Sequence, residues 1–488
     1  MFKSKRTLLA AVSFALLLGA CEDKEKVTPT KVTAAAGADQ NVKVGDLVTL
    51  DGGGSSDSGN KPFQFRWAFS QKPAGSNVTL NKPTEQNATF TPDQPGDYEL
   101  ELTVSNENGE SKDKVLVTAA IIQPIVLETN IKAKTVLTDR INNPAFPDYI
   151  VNDNVAVNAE LEIKPGVVIA FARDTRLEVN DKGGVLIAKG DSLNPIRLIG
   201  KEASKGYWAG MIVRSASSAN LLEWVEVLHT GSKAIYSTTK AAVSLMSGSK
   251  AELALKNTSF QDNAGYGLYV QAGAILSGFS RNVFKNNAEA GISLDATNVK
   301  NLDYNSVFTG GNGRNVVEVY ASALRKNATE EVVWNGFKDK TPYRILESLS
   351  SDANWKLMPG VVIEMSRNAR MSIDDGYINA VGTEASKIVI KGAENSAAYW
   401  RGMICFSTSN LNVFNFAEIS GGGSSALVSG KKVNIAVYGS LANMQIKNSK
   451  ISGSGGYGIY VNYQATINGD VETANTFTDN AEGKILKE

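Results

Sequence analysis

The sequence predicts an all-β chain in two parts, a small antiparallel sandwich followed by a long stack of short-strand repeats. Three observations carry this. Short apolar–polar runs, bounded by glycine, asparagine and serine clusters, continue to the end of the chain without a convincing amphipathic helix. Phe260, Phe284 and Phe308 follow one another at steps of 24 residues. The phrase Tyr207-Trp208-Ala209-Gly210-Met211 returns as Tyr399-Trp400-Arg401-Gly402-Met403, 192 residues later.

The chain opens on a basic segment, Lys3, Lys5 and Arg6, and an apolar run from Leu8 to Leu18. That run is too short to span a bilayer and reads as an export signal over residues 1–20. It ends in Leu18-Gly19-Ala20-Cys21, which resembles the lipobox of bacterial lipoproteins. The resemblance implies that Cys21 is lipidated and becomes the new N-terminus. The predicted partner there is a membrane, held by acyl chains that each contribute about 0.8 kcal/mol per buried methylene. The stretch EDKEKVTPTK that follows has nothing to bury and reads as a tether, about residues 21–30. Acidic residues just after such a cysteine resemble the surface-export signal of Bacteroidota lipoproteins, which implies an outer-membrane location facing the cell exterior.

Composition narrows the remaining possibilities. Of 488 residues, 42% are hydrophobic and 20% charged, with 44 glycines. Fifty basic and fifty acidic residues cancel, so there is no basic field to gather nucleic acid, and none is expected as a partner. With Cys21 used, Cys405 alone remains, no intrachain disulfide can form, and Cys405 in the apolar run GMICFS reads as a buried core residue. The chain is expected to act as a monomer.

Residues 31–119 carry the runs LVTL, FQFRWAF, ATFTP, YELELTV and DKVLVT, separated by the turns DGGGSSDSGN and SNENGES. So many short strands in so few residues predict an antiparallel sandwich. The phrases AGADQNVKVGDLVTLDGGGSSDSG, then Trp67, then PGDYELELTVSNENG resemble the PKD (polycystic-kidney-disease-type) domain. The resemblance implies a spacer or weak binding unit without catalysis, in which Trp67 packs between the sheets and Tyr98 begins a core strand. Asp51 and Asp57 flank a glycine-serine turn. Aspartates there usually bond their own backbone, and a calcium site needs six or more oxygens, so no metal is expected.

From about residue 121 to 488 the texture is that of a right-handed parallel β-helix, a fold this segment resembles. Asn263 and Asn287 keep the 24-residue step, as do Gly267, Gly291 and Asn315. One such repeat cannot bury its own core, so repeats must stack, with phenylalanines aligned inside and asparagines paired along a corner. A longer period lies above this one. Pro165-Gly166-Val167-Val168-Ile169 reappears at 359–363, Gly190, Ile196 and Gly200 match Gly382, Ile388 and Gly392, and Glu226 matches Glu418. Two tandem copies are predicted, about 128–320 and about 329–488, each of about eight turns of 24 residues.

The candidate ligand-binding residues are the repeated aromatics Tyr207, Trp208, Tyr266, Tyr399, Trp400 and Tyr457. Two readings stand open for each: a ring that covers a corner and packs inward, or an exposed platform for the C–H face of a sugar. Catalytic residues are not assigned. The polygalacturonase and pectate-lyase phrases are missing, Asp374-Asp375 reads as a solvated corner, and the one histidine, His229, is replaced by Gly421 in the second copy. There is no Cys/His cluster for zinc and no phosphate-binding glycine loop, and no cofactor is expected. The favoured reading is a lipid-anchored surface binding or adhesion protein that engages a polysaccharide or a surface protein. The rival is a carbohydrate-active enzyme, for which three or more carboxylates should converge in one cleft.

Overall fold

A computed structural model describes residues 30–320, 322–325 and 330–488. The export segment and Cys21 lie outside the described residues. The chain divides into two compact units, Met1–Ile121 and Ile122–Glu488.

In the first unit the strands Gln40–Lys43, Gly109–Ala120, Gly96–Asn106 and Gln64–Gln71 pair in that order into a four-stranded sheet. Two short strand pairs, Val32–Thr33 with Ser56–Asp57 and Val48–Thr49 with Thr89–Phe90, complete it. Alternation along Gly96–Asn106 sends Tyr98, Leu100, Leu102 and Val104 inward, where they are fully buried with Trp67 and Phe90. The Trp67 indole N–H donates to the Gln86 carbonyl at 3.3 Å, and the Tyr98 hydroxyl donates to the Gln94 carbonyl at 2.8 Å. Each buried polar tip therefore has a partner.

The second unit is a parallel β-helix with one hydrophobic core running from Leu127 to Val471. One wall is a fourteen-stranded sheet that begins at Asn130–Ile131 and ends at Thr476–Thr478. At the inter-strand spacing of about 4.8 Å it spans about 60 Å. The other two walls are each interrupted. An eight-stranded sheet runs from Ile125–Val126 to Val307–Gly310, and a six-stranded sheet from Thr135–Leu137 to Ile275–Ser280. Beyond a 3₁₀ turn at Val299–Asn301, the chain builds a seven-stranded sheet from Ser322–Leu324 to Gly483–Lys487 and a second six-stranded sheet from Glu331–Trp334 to Thr466–Ile467.

The 24-residue step builds the predicted interior. Phe260, Phe284 and Phe308 are fully buried and stack at 4.9 and 5.0 Å between centroids, within 8° of parallel. A Cβ at Gly267 would stand 2.6 Å from the Phe284 ring and one at Gly291 2.7 Å from Phe284 Cβ, so these glycines make room for the stack. Asn263 Nδ2 donates to Asn287 Oδ1, and Asn287 Nδ2 to Asn312 Oδ1, both at 2.8 Å. The third member of this ladder lies one residue past the 24-residue step.

The two copies are out of phase, which corrects the expected eight turns. The strand Gly210–Val213 belongs to the fourteen-stranded sheet, and its counterpart Gly402–Cys405 belongs to the seven-stranded sheet. Between them the chain completes seven turns and advances by one further wall. Corners that carry extra residues, such as 229–240, lengthen a turn without adding a strand.

Candidate binding clefts

The repeated Tyr-Trp-x-Gly-Met phrase builds a roofed wall. Trp208 and Trp400 are fully buried, and their indole N–H groups donate to the carbonyls of Leu228 and Ser420 at 2.7 and 2.8 Å. Gly210 and Gly402, at φ 118 and 114, lie under hairpins closed by Ile235 N–H to Thr239 O and Leu427 N–H to Lys431 O. A Cβ there would stand 2.6 Å from Ala241 O in the first copy and 2.3 Å from Val433 O in the second. Under the second hairpin Ile404, Leu427, Val433, Ala436 and Tyr460 form a small outer core.

This geometry corrects four of the six candidate aromatics. Trp208 and Trp400 have no free ring face, since the core encloses them. Tyr207 and Tyr399, each 7% exposed, are capped by the guanidinium groups of Arg173 at 4.7 Å and Arg367 at 4.5 Å. Tyr266 and Tyr457 are half-buried. The Tyr266 hydroxyl donates to Glu318 at 2.7 Å, and burial with the Glu318 charge raises its pKa well above the usual phenol range. Tyr457 packs on the outer core. Tyr266 lies on the fourteen-stranded sheet and Tyr457 on the seven-stranded one, so they do not line one strip. Cys405 is buried as expected, which pushes its thiol up to about 11.

The structure instead opens a cleft of 360 Å³ where three corners of the first copy meet. That volume is within the range of small-molecule sites, about 300–1,000 Å³. Asp139, Asn142, Asn143, Asn194, Arg197 and Glu226 supply its polar side chains, and Pro144, Pro195 and Leu193, which is 88% exposed, give it an apolar rim. Arg197 and Glu226 are register partners on adjacent strands and form an ion pair at 3.0 Å. Arg197 Nη1 also donates to the Pro144 carbonyl at 2.8 Å, tying the cleft wall to the 138–148 loop. Buried Asp148 holds that loop by accepting the N–H groups of Arg140, Ile141 and Val168 at 2.7–2.9 Å. Gly166, at φ 83, leaves room for Asp139, whose Oδ2 would lie 2.6 Å from a Cβ at 166. Burial, reinforced by the nearby Asp148 charge, raises the Asp139 pKa above the usual carboxylate range.

The second copy repeats this cleft with a different lining. Gly360 N–H donates to the Ser386 carbonyl at 3.1 Å, as Gly166 N–H does to Asn194 at 3.0 Å, so the two corners fold alike. The second cleft, 400 Å³, is lined by Tyr304, Phe337, Lys338, Lys340, Glu384, Lys387 and Glu418 among others. Glu226 and Glu418 are therefore one position seen twice, facing outward into equivalent clefts. Apart from Gly166 and Gly360, which share a repeated phrase, the remaining lining residues of the first cleft carry no repeated signature. The signal for them is indirect, in the corner segments between Gly190 and Ile196 and between Gly382 and Ile388.

His229 and Gly421 stand at the same corner with φ 67 and 77. In the second copy that corner opens a pocket of 210 Å³, lined by Gly421, Ser420 and Glu394 among others. In the first unit Asp51 Oδ1 accepts from Gly53 N–H at 2.8 Å. Asp57 accepts from the Asn108 and Asn106 amides and from the backbone of Lys61 and Gly59. These bonds, Asn108 foremost, hold the Asp57 carboxyl down at about 2. Asp51 serves its own turn, Asp57 ties its turn to Asn106 and Asn108, and no cluster of metal-binding side chains occurs among the described residues.

Residues 36–119 match a family model whose description is that of a PKD domain. That segment is a PKD domain. The PKD domain of the KIAA 1837 protein is similar to this chain at 35% identity, over 18% of this chain and 85% of that one, with a TM-score of 0.16. The PKD domain of human KIAA0319 is similar at 19% identity, over 22% of this chain and 95% of that one, with a TM-score of 0.18. A nucleoside hydrolase-related protein from Saccharophagus degradans, associated with carbohydrate metabolism, is similar at 19% identity and a TM-score of 0.17. That match covers 18% of this chain and spans 25% of the other protein's length. No curated protein matches the chain.

Proposed function

We propose that this chain is a lipid-anchored surface protein that binds glycans through the clefts of its β-helix. The observation that carries the reading is the first cleft, where Asp139, Asn143, Asn194, Arg197 and Glu226 ring an opening with an apolar rim. Carboxylates, amides and a guanidinium suit the vicinal hydroxyls of a sugar, and proline and leucine edges suit its C–H face. The PKD domain, between the Cys21 tether and the β-helix in sequence, serves as a spacer or an added adhesive unit.

Binding is favoured over hydrolysis because one of the two carboxylates in this cleft, Glu226, is held in an ion pair by Arg197, while the oxygens of Asp148 are taken by backbone N–H groups. The hydrolase reading has one support, the presence in one cleft of two carboxylates, of which Asp139 has its pKa raised by burial. One experiment tests both. The protein is incubated with immobilised and soluble polysaccharides, and retention and new reducing ends are measured together. Retention that weakens about tenfold in Arg197→Ala, without new reducing ends, is the expected result. Turnover that disappears in Asp139→Asn would establish the enzyme instead, and no retention by the parent would sink the glycan reading.

A further inference from the structure

We infer that the two equivalent clefts take different sugar chemistries, and that the second one binds an acidic sugar residue, carboxylated or sulfated. This rests on the glycan reading and deepens it. From first copy to second, Pro144 becomes Lys338, Phe146 becomes Lys340, Pro195 becomes Lys387 and Arg197 becomes Val389, while Glu226 is kept as Glu418. The first cleft thus offers two carboxylates against one guanidinium. The second offers three ammonium groups against two carboxylates.

The three lysines are not equivalent. Lys387 is held by Glu418 at 2.8 Å, which raises its pKa and keeps it charged. Lys338 and Lys340 are exposed and make no ion pair among the described residues. Their loop is firmly placed. Asp339 Oδ2 accepts Phe308 N–H at 2.8 Å, its Oδ1 accepts the Thr341 hydroxyl at 2.6 Å, and Lys338 N–H donates to the Tyr304 carbonyl at 2.9 Å. That last bond sets the two lysines beside Tyr304, whose side chain is 55% exposed at the mouth of the cleft. Below it Phe337 is buried edge-on against Phe308 at 4.9 Å and forms a rigid floor. An exposed aromatic ring next to two unpaired ammonium groups fits a ring whose C–H face stacks while its anionic substituent is neutralised. A neutral sugar would gain nothing from the charge of these two ammonium groups.

The test compares polygalacturonate, dextran sulfate and neutral dextran as immobilised ligands for the parent, Lys338→Glu with Lys340→Glu, Tyr304→Ala and Glu226→Gln. All four substituted positions lie outside the core, and equal melting temperatures check the fold. The double lysine variant and Tyr304→Ala should each weaken binding of at least one acidic polymer about tenfold, with salt weakening the parent likewise. Whether polygalacturonate or dextran sulfate shows the loss identifies carboxylate or sulfate as the anion. Parent-like binding of both acidic polymers by the double variant overturns the inference. If that binding falls in Glu226→Gln, the glycan reading survives in the first cleft alone. A parent that retains none of the three polymers overturns inference and reading together.

Discussion

The Trp208 indole lies flat on the Phe171 ring, with 3.9 Å between centroids and 9° between planes. Position 365, the counterpart of Phe171, is a methionine, so Trp400 has no such aromatic partner. Trp208→Ala and Trp400→Ala should each cost about 3–5 kcal/mol through the cavity left behind. The first should cost about 1 kcal/mol more for the lost stack. Urea unfolding of the two variants checks this, and equal costs would show that the stack adds nothing.

The asparagine ladder offers a second measurement. Asn287 Nδ2 donates both to Asn312 Oδ1 and to the Phe260 carbonyl, and its Oδ1 accepts from Asn263. Asn287→Ala removes the acceptor of one buried Asn263 N–H and the side-chain donor to the Phe260 carbonyl, at about 1–3 kcal/mol each. Asn315→Ala, at an exposed strand position where the side chain accepts the Asn312 N–H at 3.1 Å, should cost less, about 1 kcal/mol. A parent-like melting temperature for Asn287→Ala would contradict the ladder's role.

The third expectation concerns pH. Burial, countered in part by Asp262, lowers the His229 pKa from its ordinary value near 6.5. The unfolded chain therefore takes up a proton before the folded one does. The stability that His229 contributes as a neutral ring is present above about pH 6.5 and is lost as pH falls toward its lowered folded value. His229→Gly supplies the residue that the second copy uses at this left-handed corner. It should match the parent within about 1 kcal/mol at pH 8, where relief of strain and added chain entropy oppose each other. At pH 5.5 it should be the more stable of the two. An identical pH slope in both proteins would refute this account.

The fourth expectation concerns the anchor. Cys21→Ser should move the protein from the membrane fraction to the soluble fraction in its native host, measured by detergent partitioning. Membrane retention of the variant would count against lipidation.

Much of the fold was legible because a stacked strand writes its period directly into the chain. Phe260, Phe284 and Phe308 must superpose to fill one core, so their spacing reports the length of a turn. The phase between copies was not legible, because 192 residues counts positions and not walls, and the hairpin at 229–240 consumes residues without completing a turn. The clefts were harder still. Asp139 and Asn194 come from two corners and Glu226 from a strand, at unequal separations, and only Glu226 has its own likeness in the second copy. The repeated aromatics drew attention for the opposite reason. A ring that the interior cannot lose, such as Trp208 or Trp400, persists in both copies, whereas the linings of the clefts have diverged.

The slip of one wall between copies has a consequence for valency. Arg197 and Glu226 sit on the eight-stranded sheet, while Val389 and Glu418, their counterparts, sit on the fourteen-stranded one. A whole number of turns would have aligned both openings along one edge, ready to grip a single filament twice. Set on adjoining sides, they would address separate filaments if both bind polymer as proposed. A protein made this way would act as a cross-linker, able to knit neighbouring polymers into a network, where an aligned pair would have acted as a clamp.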